Sequence, residues 1–325
     1  MDALVAVPLK RFDPMLHDIE LCHTAAYYPA GFPLHIATNS RHVLEAAAES
    51  WRYWHREYDA EPVIIRAVIE PAGPLAGTPT FRMQEHLLQA VSDAHNFATM
   101  DMRLLVAGIH VSEKTAADHP RLRWFFIESM GYMMLTQRYV TPVHAACVAR
   151  RGLGLLLCGA SGAGKSTLAF ACARAGWTYV TDDCSWLLTG STDRVVIGRP
   201  HQMRFRHDAV RHFPELQGHV ARTRPNGKLS IEVLTNLFPS IRTEPRCPVG
   251  GIVFLDRAAG GHARTEPIDS GEAVASLIAD MPSYGDEVNA MHERTVRALL
   301  DVPAWRLHYR SFDEALRLLS EIQPE

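Results

Sequence analysis

Gly152-Leu-Gly-Leu-Leu-Leu-Cys-Gly-Ala-Ser-Gly-Ala-Gly-Lys-Ser166 is the stretch whose reading decides the fold. Its first half, Gly152 to Cys158, is an unbroken apolar run of strand length, the pattern of a strand buried on both faces. Its second half, Gly159 to Ser166, fits G-x-x-x-x-G-K-[ST] in full, and a helix is predicted directly after it, from Lys165 to about Ala175. Gly176 stands where a helix C-cap is wanted, and Trp177 to Thr181 reads as the next strand. Strand, loop, helix, strand over roughly 30 residues is a βαβ-type unit, so the class is α/β with a nucleotide-binding architecture.

The glycines of such a loop let successive backbone N–H groups turn inward around phosphate oxygens, and the helix N-terminus adds partial positive charge. Gly159, Ala160, Ser161, Gly162, Ala163, Gly164, Lys165, Ser166 and Thr167 are therefore the candidate nucleotide-binding residues. Lys165 is expected at the β- and γ-phosphates of ATP, and the Ser166 hydroxyl on Mg²⁺. The chain has only four lysines against 29 arginines, and one of the four sits here. Asp182 and Asp183 end the strand that follows the helix. Carboxylates at the C-terminal edge of a sheet beside a phosphate loop hold Mg²⁺ or take a proton from an incoming hydroxyl. No L-S-G-G-Q-like segment of an ATP-binding-cassette protein is found.

Three segments together resemble the HPr kinase/phosphorylase catalytic core, itself similar to phosphoenolpyruvate carboxykinases. They are Pro142-Val-His-Ala-Ala-Cys-Val-Ala149, the strand and loop quoted above, and Gly176-Trp-Thr-Tyr-Val-Thr-Asp-Asp183. The shared pattern is a histidine one strand before the loop, the loop, and an Asp-Asp pair after a short Gly-terminated helix. The resemblance implies ATP- and Mg²⁺-dependent phosphoryl transfer to a serine hydroxyl of a peptide or small protein. It also implies a P-loop kinase core with a mixed sheet and flanking helices. By position, His144 matches the active-site histidine and Asp182/Asp183 the acidic pair. Asp183 is favoured as general base, with Ser166 and Asp182 at the metal. Homo-oligomers are implied by the resemblance alone. Thr167-Leu168 follows the loop serine where HPr kinases carry an acidic residue, and the first 120 or so residues do not look like that family's N-terminal domain. The phosphorylase activity is therefore not expected. A kinase of a small hydroxyl-bearing metabolite such as free serine, and a non-catalytic nucleotide sensor or ATPase, are the alternatives.

Beyond the acidic pair, residues 199 to 228 hold Arg199, Arg204, Arg206, Arg211, Arg222, Arg224 and Lys228 against only Asp208 and Glu215. Strand spacing places Arg204 and Arg206 on one face, where one of them is expected to neutralise the transferring phosphoryl group. His201, His207, His212 and His219 lack metal-ligand spacing. Val249 to Asp256 is a further buried strand, and the chain ends in a strand and an amphipathic helix with a capping box at Ser311 and Glu314.

Toward the other end, a strand over 33–38, a helix over 42–58 capped by Asn39 or Ser40, and a strand over 63–69 are expected. Several short β runs over 81–112 follow, then an apolar helix from Pro120 to Arg138. Nothing before residue 140 reads as chemistry. The division expected is a smaller α+β accessory or substrate-recognition domain, 1–118, and a kinase domain, 119–325. A length of 325 residues, 47% hydrophobic and 21% charged, suits two such domains, and a net charge of −3 argues against a nucleic-acid coat protein. Six scattered cysteines without a C-x-x-C pair suit a reducing, cytoplasmic setting. No signal peptide or membrane span is expected, so neither a membrane nor nucleic acid is a predicted partner.

Overall fold

The computed structural model describes residues 20–224, 227–257 and 262–322. The amino-terminal segment in which no signal peptide was expected lies outside these residues. No helix among them is long and apolar enough to cross a membrane. The class is mixed α/β, and the chain divides into two compact units at Met134/Leu135.

The first unit is built on a seven-stranded sheet. Its order is His23–Tyr27, Leu34–Thr38, Val63–Glu70, Val106–Ser112, Asn96–Asp101, Leu87–Asp93 and Thr80–Gln84. Leu34–Thr38, Val63–Glu70 and Val106–Ser112 run parallel; His23–Tyr27 pairs antiparallel at one edge, and Asn96–Asp101, Leu87–Asp93 and Thr80–Gln84 continue from Val106–Ser112 as an antiparallel meander. The helix Arg41–Trp51 ends earlier than its sequence suggests. The chain turns off at Trp51 because the Glu57 and Tyr58 amides are drawn to the Gly31 carbonyl, at 3.0 and 3.1 Å. Ser40 occupies the N-cap position without a side-chain bond, while Asn39 bridges the main chain of Ile69 in both directions.

The apolar helix expected from Pro120 is three pieces: His119–Leu122, a π-helical turn Arg123–Ile127, and Glu128–Arg138. The Ser129 hydroxyl takes the Trp124 carbonyl at 2.7 Å, five residues back, where the widened turn presents it. Ser50 donates to Glu128 at 2.6 Å and the Trp51 indole to Tyr132 at 2.9 Å. These contacts tie the end of Arg41–Trp51 to residues 128–132 within the first unit, which by contacts ends at Met134.

In the second unit Leu153–Cys158 pairs parallel with Arg246–Asp256 and antiparallel with Ala145–Arg150. Ala145–Arg150 also pairs antiparallel with Thr178–Thr181. The expected strand–helix–strand unit is thus present with another strand inserted between its two strands. The segment Pro142–Ala149, where the pattern sets a histidine one strand before the loop, is divided between two strands, Val140–Val143 and Ala145–Arg150, parted at His144. Val140–Val143 leaves for the far edge of the sheet, where it pairs with Ser185–Leu188. A separate antiparallel sheet holds Gln202–Arg206, Leu229–Leu234 and Ala221–Thr223.

Period-two alternation makes the central strand apolar throughout. Leu155 and Leu157 join one core with the helix Lys165–Arg174, the small sheet and the last helix, Phe312–Glu321. Leu156 and Cys158 join a second core with the helices Ser270–Ala279 and Asp286–Arg297. Phe170 lies at the centre of the first core, its ring 5.2, 4.8 and 5.2 Å from those of Phe205, Phe213 and Phe238. The capping box at Ser311 and Glu314 is formed as expected.

Phe170→Ala removes the ring around which the others are arranged. It is expected to cost about 3–5 kcal/mol, read as a lowered urea midpoint of the second unit. Gly198→Ala is expected to destabilise by about 1–3 kcal/mol or more, because its Cβ would be driven onto the Val180 carbonyl oxygen. A melting temperature equal to that of the parent would contradict this packing.

Candidate active site

The loop leaves Leu153–Cys158 at Gly159 and turns at Gly162 and Gly164, whose φ values are +145°, +97° and +96°. Side chains rarely adopt that region, so glycine is required there. The loop delivers the chain into the helix Lys165–Arg174, whose first residues, Lys165, Ser166 and Thr167, line a cavity. Lys165, 7% exposed as a residue, donates its ammonium to the Gly159 carbonyl at 2.6 Å and to that of Ala160 at 3.4 Å. Burial lowers its pKa from the ordinary lysine value, and the carboxylates of Asp183 and Asp280 oppose part of that shift. Thr167 closes the loop by donating to the Gly164 carbonyl at 2.8 Å.

The two aspartates at the end of Thr178–Thr181 have separate surroundings. Asp182 is buried and accepts the backbone N–H of Arg204 at 2.5 Å. Burial, and then the neighbouring charge of Asp183, push its carboxyl up to about 6. Its main-chain carbonyl accepts the Ser166 hydroxyl at 3.2 Å. Asp183 faces the cavity with its side chain half-exposed, 3.6 Å from Arg224. Packing around it raises its pKa, but Arg224 first, then Arg204, His144 and Arg199, outweigh this and hold it below the ordinary aspartate value. The acid that opens to the cavity is therefore Asp183, while Asp182, expected at the metal, is turned to the Arg204 main chain.

His144 stands in the gap between Val140–Val143 and Ala145–Arg150, and its Nδ1 lies 2.9 Å from Asp280. It lines the same cavity as Asp183. Asp280 ends the helix Ser270–Ala279 and is a site residue that sequence reading missed. No local pattern marks it, since 136 residues separate it from its partner.

The opposite wall is basic. Alternation along Gln202–Arg206 turns Arg204 and Arg206 to the cavity and Met203 and Phe205 to the core. Arg204 is held by Glu232 at 2.8 Å, so its charge is already engaged. Arg206 and Lys228 reach across to the Ser161 hydroxyl at 3.1 and 2.5 Å. Arg224 and Arg257 complete the lining. Lys228 and Arg224 were visible only as members of a basic run; tertiary structure selects them. Of the four clustered histidines only His212 reaches the cavity. The enclosed volume is about 360 Å³, within the range of small-molecule sites.

The chain matches no protein-family model and no curated protein. Among solved structures it is similar to the HPr(Ser) kinase/phosphatase from Coxiella burnetii. The identity is 14%, over 56% of this chain and 96% of that one, with a TM-score of 0.31. The likeness is a distant structural one.

The raised carboxyl of Asp182 gives a pH dependence with a defined sign. The folded state holds this proton from the ordinary value of 3.8 up to about 6, so the contribution to stability is full below 3.8 and lost as pH rises through 6. Asp182→Asn removes the loss. Its melting temperature relative to the parent is expected to rise between pH 4 and pH 7, by the equivalent of about 1–3 kcal/mol. A difference that stays constant with pH would sink the assignment.

Proposed function

We propose that the chain is an ATP- and Mg²⁺-dependent phosphotransferase that delivers the γ-phosphate to a serine hydroxyl of a peptide or small protein. The observation that carries this reading is convergence on one cavity. Lys165, Ser166, Asp183, His144 and the cations Arg206, Arg224 and Lys228 all line it. Three glycines with positive φ, a lysine at the loop and a hydroxyl at the first helical turn fit a nucleotide's phosphates. When bound, Mg²⁺ would neutralise charge on the phosphate oxygens.

In this reading the loop amides and Lys165 hold the phosphates in line with the acceptor. The Ser166 hydroxyl, which donates to the Asp182 carbonyl, would turn to hold the metal. Asp183, kept ionised by Arg224, accepts the proton of the acceptor hydroxyl as its oxygen bonds to the γ-phosphorus and the bond from that phosphorus to the β–γ bridging oxygen breaks, releasing ADP. His144, anchored by Asp280, orients that carboxylate. Asp182 acts as a positioning residue by fixing the Arg204 strand. Arg206, nearest the loop, is the arginine assigned to the charge of the transferring group, since Arg204 is occupied by Glu232. Catalysis in this class rests on positioning and electrostatics. Residues 1–118 are assigned to recognising the acceptor, in a cytoplasmic setting.

The test is incubation of purified full-length chain with γ-labelled ATP and serine-containing peptides. Label is expected in a peptide, and Lys165→Ala is expected to abolish it. Asp183→Asn should keep nucleotide binding and lose transfer by about 10²–10⁴-fold. Label in a small metabolite, or phosphate release with no acceptor, would replace the peptide reading. Transfer at the parental rate by Lys165→Ala would refute the site.

A further inference from the structure

The helix Arg41–Trp51 of the first unit carries His42, Glu45 and Glu49 at spacings of three and four, hence on one face. Against that face stands His119, at the start of the short helix His119–Leu122. The Nε2 atom of His119 lies 3.3 Å from Nδ1 of His42, and the rings are inclined at 70°. One oxygen of Glu45 is 3.9 Å from the His42 nitrogen and 4.0 Å from the His119 nitrogen. Behind His119, Glu49 sits 2.6 Å from Nδ1 and turns its other oxygen to Arg123 at 3.6 Å.

We infer that His42, Glu45 and His119 form a binding site for a zinc-class divalent transition-metal ion. Glu49 sets the tautomer. A carboxylate at Nδ1 keeps the proton there and leaves the Nε2 lone pair directed at His42 and Glu45, the usual arrangement behind a metal-bound imidazole. The spacing agrees as well. Ligand atoms about 2.0–2.1 Å from a tetrahedral ion lie roughly 3.3 Å from one another, the separation of the two imidazole nitrogens. Glu45, with its side chain 60% exposed, closes the remaining gap by rotating its carboxylate. Two imidazoles with one carboxylate select zinc, copper, nickel or cobalt over magnesium or calcium, which prefer oxygen. Three protein ligands at a half-exposed position leave the fourth site to water or to an exogenous donor. The ion would join the helix Arg41–Trp51 to the segment at residue 119, two pieces of one unit far apart in sequence. The inference is independent of the proposed phosphotransfer, because it involves none of the residues lining that cavity.

The competing account is a hydrogen bond from His42 Nδ1–H to His119 Nε2 with no ion. Titration of metal-stripped full-length protein with ZnCl₂ by calorimetry, and with CoCl₂ by visible absorption, separates the two. One equivalent of Zn²⁺ and the intense visible bands of four-coordinate Co²⁺ are expected. His119→Ala should weaken binding at least 100-fold. Glu49→Gln should weaken it about 10–100-fold while the cobalt bands persist at saturation. Glu45→Gln, an isosteric change on an exposed helix face, serves as the ligand variant if His119→Ala does not fold in its metal-free melting curve. Absence of a stoichiometric site in the parent, or parental affinity in both ligand variants, would overturn the inference.

Discussion

A buried carboxylate bonded to one backbone amide organises the second unit. Asp182 lies at the end of Thr178–Thr181 and accepts the Arg204 N–H at 2.5 Å. Burying a carboxylate is costly unless it is hydrogen-bonded, and a charge-assisted bond of this kind is among the stronger ones available. Its geometric consequence matters more than its energy. It pins the strand Gln202–Arg206, and with it the small antiparallel sheet, beside the end of the central sheet. With that strand's register set, period-two alternation does the rest. Met203 and Phe205 enter the core around Phe170, while Arg204 and Arg206 face the glycine loop. Core packing and the charge of the cavity wall thus follow from the same contact.

The charges around the cavity are held by partners. Arg204 is paired with Glu232, Asp183 with Arg224, and His144 with Asp280. Lys165 is bound to the loop it belongs to. In the proposed function these pairs would fix charges in advance of the nucleotide, while Lys165 would exchange its loop carbonyls for phosphate oxygens. The arrangement also separates two adjacent carboxylates in chemistry. Asp182 is pushed toward neutrality by burial and Asp183 is kept ionised by arginines. Adjacent residues at a strand end point to opposite sides, and here those sides are the interior and the cavity.

Sequence patterns made some elements legible and hid others. The strand Leu153–Cys158, the glycine loop and the helix Lys165–Arg174 were readable because apolar period, glycine placement and helix boundary all agree locally. The capping box at Ser311 was readable for the same reason. The break at His144 was not. An apolar run reads as one strand, and only the distant pairing of Val140–Val143 with Ser185–Leu188 divides it. The helix Arg41–Trp51 reads as longer because Arg52 to Tyr58 keeps helical composition, while the Glu57 and Tyr58 amides bond to the Gly31 carbonyl. The first unit looked devoid of chemistry for a related reason. His42 and Glu45 are neighbours on a helix, but nothing in the sequence says that His119 meets them.

The amino-acid sequence by itself determined the glycine loop, its lysine and hydroxyl, the adjacent acidic pair and a basic stretch with a definite strand face. These depend on interactions within a few residues, where backbone geometry leaves few choices. Tertiary structure decided which acid opens to the cavity and which arginine is already paired. It also brought Asp280 to His144 and set His119 against the helix Arg41–Trp51. Each of those choices joins segments far apart along the chain. They are settled by which strands pair and which faces are buried, and no local pattern encodes that.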